Sequence, residues 1–200
     1  MALYNSDINA LYIHIPKAYG SSIAQVLMTM GFKQIIKENM MSRKIGVLQY
    51  IEDNKSEYVN KDTFIFTFIR NPIDRFISGC NYCSLNVNNI FNRKISLCQY
   101  WHILMPQINH LIVENSDNYC IGTLKSKYEI SFIGKCENIN NDWNKLLQLF
   151  ENRGLKMLKP FDINKNKSLQ YKNNSKNSLD FNIKNDIFNK FKNDFYLFCI

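Results

Sequence analysis

His14-Ile15-Pro16-Lys17-Ala18-Tyr19-Gly20-Ser21-Ser22 is the stretch on which the reading of this chain turns. Before it stands Leu11-Tyr12-Ile13, short, apolar and β-prone. After it, Ile23, Val26, Leu27 and Met30 repeat at helical spacing. The spacing predicts strand, tight loop, helix. A loop of this kind aims free backbone N–H groups and the positive end of a helix dipole at one point. Gly20 permits a sharp turn or a close approach, Ser21 and Ser22 add hydroxyl donors, and Lys17 adds a full charge. The set suits a phosphate or a sulfate. It is not a Walker loop, in which the lysine follows the glycines. The same residues also read as an ordinary strand-to-helix turn with a solvated lysine.

A second landmark is Thr63-Phe64-Ile65-Phe66-Thr67-Phe68-Ile69-Arg70-Asn71-Pro72. An unbroken β-branched and aromatic run predicts a strand buried on both faces, in the middle of a parallel sheet. Asn71 can cap a helix and Pro72 suits its first turn, so a helix is expected over 73–85. On it Arg75 and Ser78 are three apart and share a face. Arg70 ends the strand near that face. Open α/β sheets bind ligands at the carboxyl ends of their strands. The alternative is a structural arginine with a helix-surface ion pair through Asp74.

The rest of the chain supplies the frame. Residues 1–10 read as a polar lead-in, and the first helix is expected to end at Gly31. Helices are expected over 42–52, 96–113 (bent near Pro106), 142–150 and 182–195, and a short strand over 130–134. Segments 86–94 and 116–128 read as loops, and the Lys- and Asn-rich segment 152–177 as a surface loop or lid. The expected fold class is α/β: a P-loop-like three-layer sandwich, its central mainly parallel sheet flanked by helices. The 200 residues suit a single domain, 1–200, with a sizeable core.

Composition narrows the partners. A net charge of +8 favours anions. No nucleic-acid-binding signature accompanies it, so no nucleic acid is expected. The start of the chain has no signal-peptide pattern, and no run is long and apolar enough to cross a bilayer. A soluble, cytoplasmic protein is the expectation. Six irregularly spaced cysteines read as free thiols in a reducing compartment. Cys80 and Cys83 have CxxC spacing, but no second pair or nearby histidine completes a zinc set.

Together the two landmarks make two anion sites: Lys17, Gly20, Ser21 and Ser22 in one, Arg70, Arg75 and Ser78 in the other. The chain resembles the sulfotransferases that use 3′-phosphoadenosine 5′-phosphosulfate (PAPS), closest to the carbohydrate and Golgi-type branch and its short soluble relatives. Residues 14–22 are similar to that branch's HIPKTGGTS loop. Phe66-Thr67-Phe68-Ile69-Arg70-Asn71-Pro72-Ile73-Asp74-Arg75-Phe76-Ile77-Ser78 is similar to its FTFVRNPYDRLVS segment. Weaker echoes come after these in order: Trp101 to Gln107 for an H-x-x-PQ stretch, Phe132 to Asn138 for IGRFEN, Asn166-Lys167-Ser168, and Lys192 to Phe195 for part of a closing (Y/F)-x-x-D-F pattern. Ala18 and Tyr19 depart from the family, which has Thr and Gly there.

The resemblance implies PAPS as co-substrate, no metal, and transfer to a hydroxyl, with a carbohydrate as the expected acceptor. Lys17 would neutralise charge on the bridging oxygen as the sulfuryl group leaves. Gly20, Ser21 and Ser22 would hold the 5′-phosphate, and Arg70 and Ser78 the 3′-phosphate. Arg75 would assist or would support the loop. The general base is left among His102, Glu137 and His14. Two rivals stay open: a sulfotransferase-fold protein that binds glycan or another anionic partner without transfer, and another phosphate-binding transferase.

Overall fold

The computed structural model describes residues 1–36, 45–113, 119–121, 124–161 and 179–199. The chain opens with β1 (Ala2–Asn5), which turns back into β2 (Ala10–Ile13). The expected polar lead-in is therefore a strand. Ala2, Leu3 and Asn5 are all buried, and alternation was too short there to be read. Next come α1 (Gly20–Thr29), β3 (Lys33–Ile36) and α2 (Val47–Asn54). At the end of α1 the Phe32 N–H reaches the Leu27 carbonyl and the Gly31 N–H that of Met28, so Gly31 closes the helix as expected. The expected helix 42–52 starts later, and residues 37–44 lie outside the described residues.

β4 (Phe64–Ile69) is buried at every position and leads into α3 (Pro72–Tyr82). The Asn71 side chain accepts from the N–H groups of Ile73 and Asp74, the expected cap. After a 3-10 turn at Val87–Asn92, the expected helix 96–113 is broken. It consists of α4 (Leu97–Gln99), a π-helical turn at Tyr100–Leu104 and a 3-10 turn at Ile108–His110. Pro106 has no N–H, so a continuous helix cannot cross it.

β5 (Tyr119–Ile121) and β6 (Leu124–Ser126) form a separate two-stranded ribbon where only loops were expected. β7 (Phe132–Lys135) and α5 (Ile139–Asn152) come next. Most of the expected lid lies outside the described residues, which omit 162–178. The expected last helix is two, α6 (Phe181–Lys190) and α7 (Lys192–Cys199), parted at Phe191.

The five-stranded sheet has the order β3-β1-β2-β4-β7. β2, β4 and β7 are parallel, with Ile13 beside Thr67 and Ile69 beside Lys135. β1 and β3 complete one side in antiparallel pairing. This is the α/β class, and β4 is the middle one of the three parallel strands, with both faces covered. Phe64, Phe66 and Phe68 alternate onto one face. There Phe66 meets Phe150 edge-on at 5.2 Å, and Phe68 meets Trp143 at 6.1 Å, both from α5. Each such ring taken fully out of water contributes about 1.5–3 kcal/mol. Thr67 is the one hydroxyl between these apolar positions, and it donates to the Ile13 carbonyl at 2.7 Å. A second apolar cluster, including Phe76, Cys80, Ile103, Ile187 and Phe191, joins α3 to the π turn and α6.

Three parallel strands end on one side of the sheet. β2 runs into the loop with Lys17, β4 into Arg70, and β7 into the turn that carries Glu137. The fold thereby gathers residues from three distant parts of the chain at one edge.

Candidate active site

The loop after β2 is held in an unusual backbone. Lys17 and Tyr19 both have positive φ, 67° and 54°. Such conformations cost non-glycine residues about 1–3 kcal/mol and persist only where the surroundings impose them. Here the surroundings are specific. Arg75 Nε donates to the Pro16 carbonyl at 3.0 Å, and Arg70 Nη1 to the Lys17 carbonyl at 3.3 Å. Ala18, where the resembling family has Thr, is wholly buried and its N–H returns to the Ile15 carbonyl. Tyr19 takes the left-handed turn where that family has Gly, and its side chain is exposed. The two departures are thus absorbed by packing on one side and solvent on the other.

α1 starts at Gly20 without a side-chain cap. The first intrahelical bond runs from the Ile23 N–H to the Tyr19 carbonyl. The N–H groups of Gly20, Ser21 and Ser22 precede it, the donors that a helix start leaves without an intrahelical acceptor and that an anion could take. A Cβ on Gly20 would lie 2.5 Å from the His14 ring, so only glycine fits over that buried imidazole. Ser21 is exposed and Ser22 buried.

Arg70 and Arg75 do different work. Arg70 is half-buried beside the loop. Arg75 is 1% exposed, with Nη2 on the Trp101 carbonyl at 3.4 Å in addition to Nε on Pro16. Burial pulls its guanidinium down to about 10, opposed by the Asp194 carboxylate, so it stays charged at neutral pH. Burial raises the Asp194 carboxyl of α7 from its ordinary value, against the pull of Arg75. It accepts from the N–H groups of Gln107 and Ile108 at 2.8 and 2.9 Å. The Gln107 side chain in turn clasps Arg70 on both backbone groups, accepting from its N–H at 2.8 Å and donating to its carbonyl at 2.7 Å. The faint H-x-x-PQ and D-F echoes in the sequence therefore meet in one buried network that fixes the end of β4.

The three candidate bases fall in different places. Glu137 accepts from the Asn71 N–H at 2.8 Å and ties the end of β7 to the start of α3. His14 is buried beneath Gly20. His102, on the π turn, lies 4.7 Å from the Tyr82 ring, whose centroid is 4.0 Å from Lys17 Nζ. Ser78 is half-buried on α3, one turn before Tyr82. Sequence reasoning passed over Tyr82, although Arg75, Ser78 and Tyr82 repeat at helical spacing and the signal was present.

Buried histidines make this region pH-sensitive. Burial holds both His14 and His110 well below the ordinary value. His110 is wholly buried 4.9 Å from the Trp101 ring, and neither of its nitrogens is hydrogen-bonded among the described residues. A histidine kept neutral by folding is protonated first in the unfolded chain. Stability is then full above about pH 6.5 and falls as pH drops below it, toward the depressed folded values. The slope is at most about 1.4 kcal/mol per pH unit for each residue. Melting temperatures measured from pH 8 to pH 5 are expected to decline below pH 6.5, and less steeply in His110→Phe. A flat profile in the wild type contradicts this.

The mainly parallel sheet, the loop before α1 and the arginine at the end of β4 are the frame of the α/β class described above. The model of the sulfotransferase family matches residues 1–199, and the chain belongs to that family. No curated protein and no solved structure matches it significantly. Sulfuryl transfer to a hydroxyl-bearing acceptor is the activity this membership carries. No described helix is long and apolar enough to cross a membrane.

Proposed function

We propose that the chain, as one domain spanning residues 1–200, transfers a sulfuryl group from PAPS to a hydroxyl of a carbohydrate. One observation carries the reading: Arg70 reaches the Lys17 carbonyl at 3.3 Å across 53 residues of sequence. Arg70 thereby stands against the backbone of the loop that carries Lys17, so the two halves of the proposed nucleotide site adjoin. The uncapped start of α1 supplies the donors for a 5′-phosphate. Arg70, with Ser78, is assigned the 3′-phosphate, for which a guanidinium offers paired bonds.

Transfer breaks the bond between sulfur and the 5′-phosphate oxygen and forms one to the acceptor oxygen. Lys17 meets the charge that grows on the departing oxygen. The acceptor's proton goes to His102, whose ring and the Lys17 ammonium both lie against Tyr82. Glu137 is engaged by Asn71 and His14 is covered by Gly20, which argues against either. Arg75 is assigned the supporting role, beneath the loop. The carbohydrate preference rests on the motif resemblance.

The test is thermal unfolding with adenosine 3′,5′-bisphosphate, the desulfated product. At a concentration of about a hundred times its dissociation constant, the gain is about 2.7 kcal/mol. For a chain of this size that is roughly 5–10 °C. Arg70→Ala at the same concentration is expected to show a much smaller rise. Protection by ATP exceeding that by the bisphosphate points to another phosphate-binding transferase. No protection, with salt-sensitive glycan binding, points to a non-catalytic relative.

A further inference from the structure

We propose that Tyr82 is a positioning residue of the transfer site, its ring holding the Lys17 ammonium against His102. This rests on the reading of Lys17 and His102 given above. The ring centroid is 4.0 Å from Lys17 Nζ and 4.7 Å from the His102 ring, so one side chain touches both the anion-loop cation and the candidate base. An ammonium over an aromatic face is attracted by the ring's quadrupole.

The contact is built from three anchored elements. Lys17 sits in a backbone fixed by Arg70 and, one residue earlier, by Arg75. Tyr82 closes α3, where the Cys83 N–H still bonds to the Gly79 carbonyl. His102 rides on the π turn, and that turn presses on α3 so closely that a Cβ on Gly79 would lie 2.4 Å from the His102 carbonyl oxygen. Arg75 adds a second tie between α3 and the π turn, through the Trp101 carbonyl. Backbones held this way fix the places from which the three side chains reach one another.

Tyr82 is also 47% exposed. A ring that served only the core would be covered. This one stays half open while its face carries the Lys17 ammonium. The long, flexible lysine side chain otherwise samples many rotamers, and a catalyst held within a fraction of an ångström of its productive place acts faster than one that must find it. The ring therefore acts on the chemical step more than on donor binding.

The test has a substrate-free arm and a kinetic arm. In NMR spectra of the free protein, the Lys17 ε-methylene resonance is expected upfield of the other lysines through the ring current of Tyr82. The displacement disappears in Tyr82→Leu and persists in Tyr82→Phe. In assays with PAPS and an acceptor used by the wild type, Tyr82→Leu lowers kcat about tenfold, with the donor KM within about twofold. Tyr82→Phe keeps the ring and returns kcat to within about threefold of wild type. An undisplaced Lys17 resonance overturns the proposal. So does wild-type kcat in Tyr82→Leu, or an equal loss in both variants, which marks the hydroxyl and not the ring. A wild type whose melting temperature ignores the bisphosphate overturns the transfer reading, and with it the role given to Tyr82.

Discussion

Replacing Lys17 with alanine lowers sulfuryl transfer by about two to three orders of magnitude, the usual consequence of deleting one preorganised group that meets developing charge. Bisphosphate binding falls far less, because the N–H donors of Gly20, Ser21 and Ser22 and the Arg70 guanidinium are untouched. The reason lies in the division of labour at the edge of the sheet. In the proposed reaction the helix start and Arg70 would meet charges the donor carries in its ground state, and the ammonium would meet charge that appears only as the sulfuryl group leaves. Lysine suits that task as a compact point charge, and arginine at position 17 is not expected to restore the rate. Left-handed backbone at residue 17 is unfavourable for lysine and alanine alike, so the substitution isolates the side chain. The measurement is bisphosphate release from PAPS with an acceptor the wild type uses. Transfer near the wild-type rate contradicts the role given to Lys17.

The second large effect falls on stability. Arg75→Met is expected to cost about 2–4 kcal/mol, because it withdraws the buried charge whose field favours the Asp194 carboxylate. It also strips the Pro16 and Trp101 carbonyls of their donor. An apolar side chain of similar length fills the volume but answers neither need. In an Asp194→Asn background the same change costs less, since no buried carboxylate is left uncompensated. Urea unfolding of the four proteins in this cycle measures the coupling. Wild-type stability in Arg75→Met, combined with lost bisphosphate binding, would instead make Arg75 a ligand contact.

Much of the fold was legible because its strongest signals are local. Thr63 to Ile69 could only be a doubly buried strand, and Asn71-Pro72 could only begin a helix after it. The loop from His14 to Ser22 declared itself through strand, glycine and helix period in succession. What escaped depends on contacts distant in sequence. β1 is four residues long and is a strand because β2 and β3 pair with it on both sides. The π turn at Tyr100–Leu104 exists in a stretch whose hydrophobic spacing is that of a helix, and the Arg75 bond to the Trp101 carbonyl ties it to α3. The break between α6 and α7 at Phe191 lies within an amphipathic pattern that continues past it.

The candidate site divides in the same way. Lys17, Gly20, Ser21, Ser22 and Arg70 were visible as residue types that suit an anion. The structure sets Arg70 against the loop, and its charge remains beside that opening. Arg75 looked alike in sequence, and only its burial separates bracing from binding. Gln107 and Asp194 were faint echoes with no assigned task until their hydrogen bonds showed that they hold the backbone of Arg70 and the turn after Pro106.

The most direct measurement is a crystal structure of the chain with adenosine 3′,5′-bisphosphate. The account predicts the 5′-phosphate on the N–H groups of Gly20, Ser21 and Ser22, with Lys17 beside it, and the 3′-phosphate on Arg70 and Ser78. A bisphosphate seated elsewhere, or a site between Lys17 and Arg70 that stays empty at saturating ligand, contradicts it.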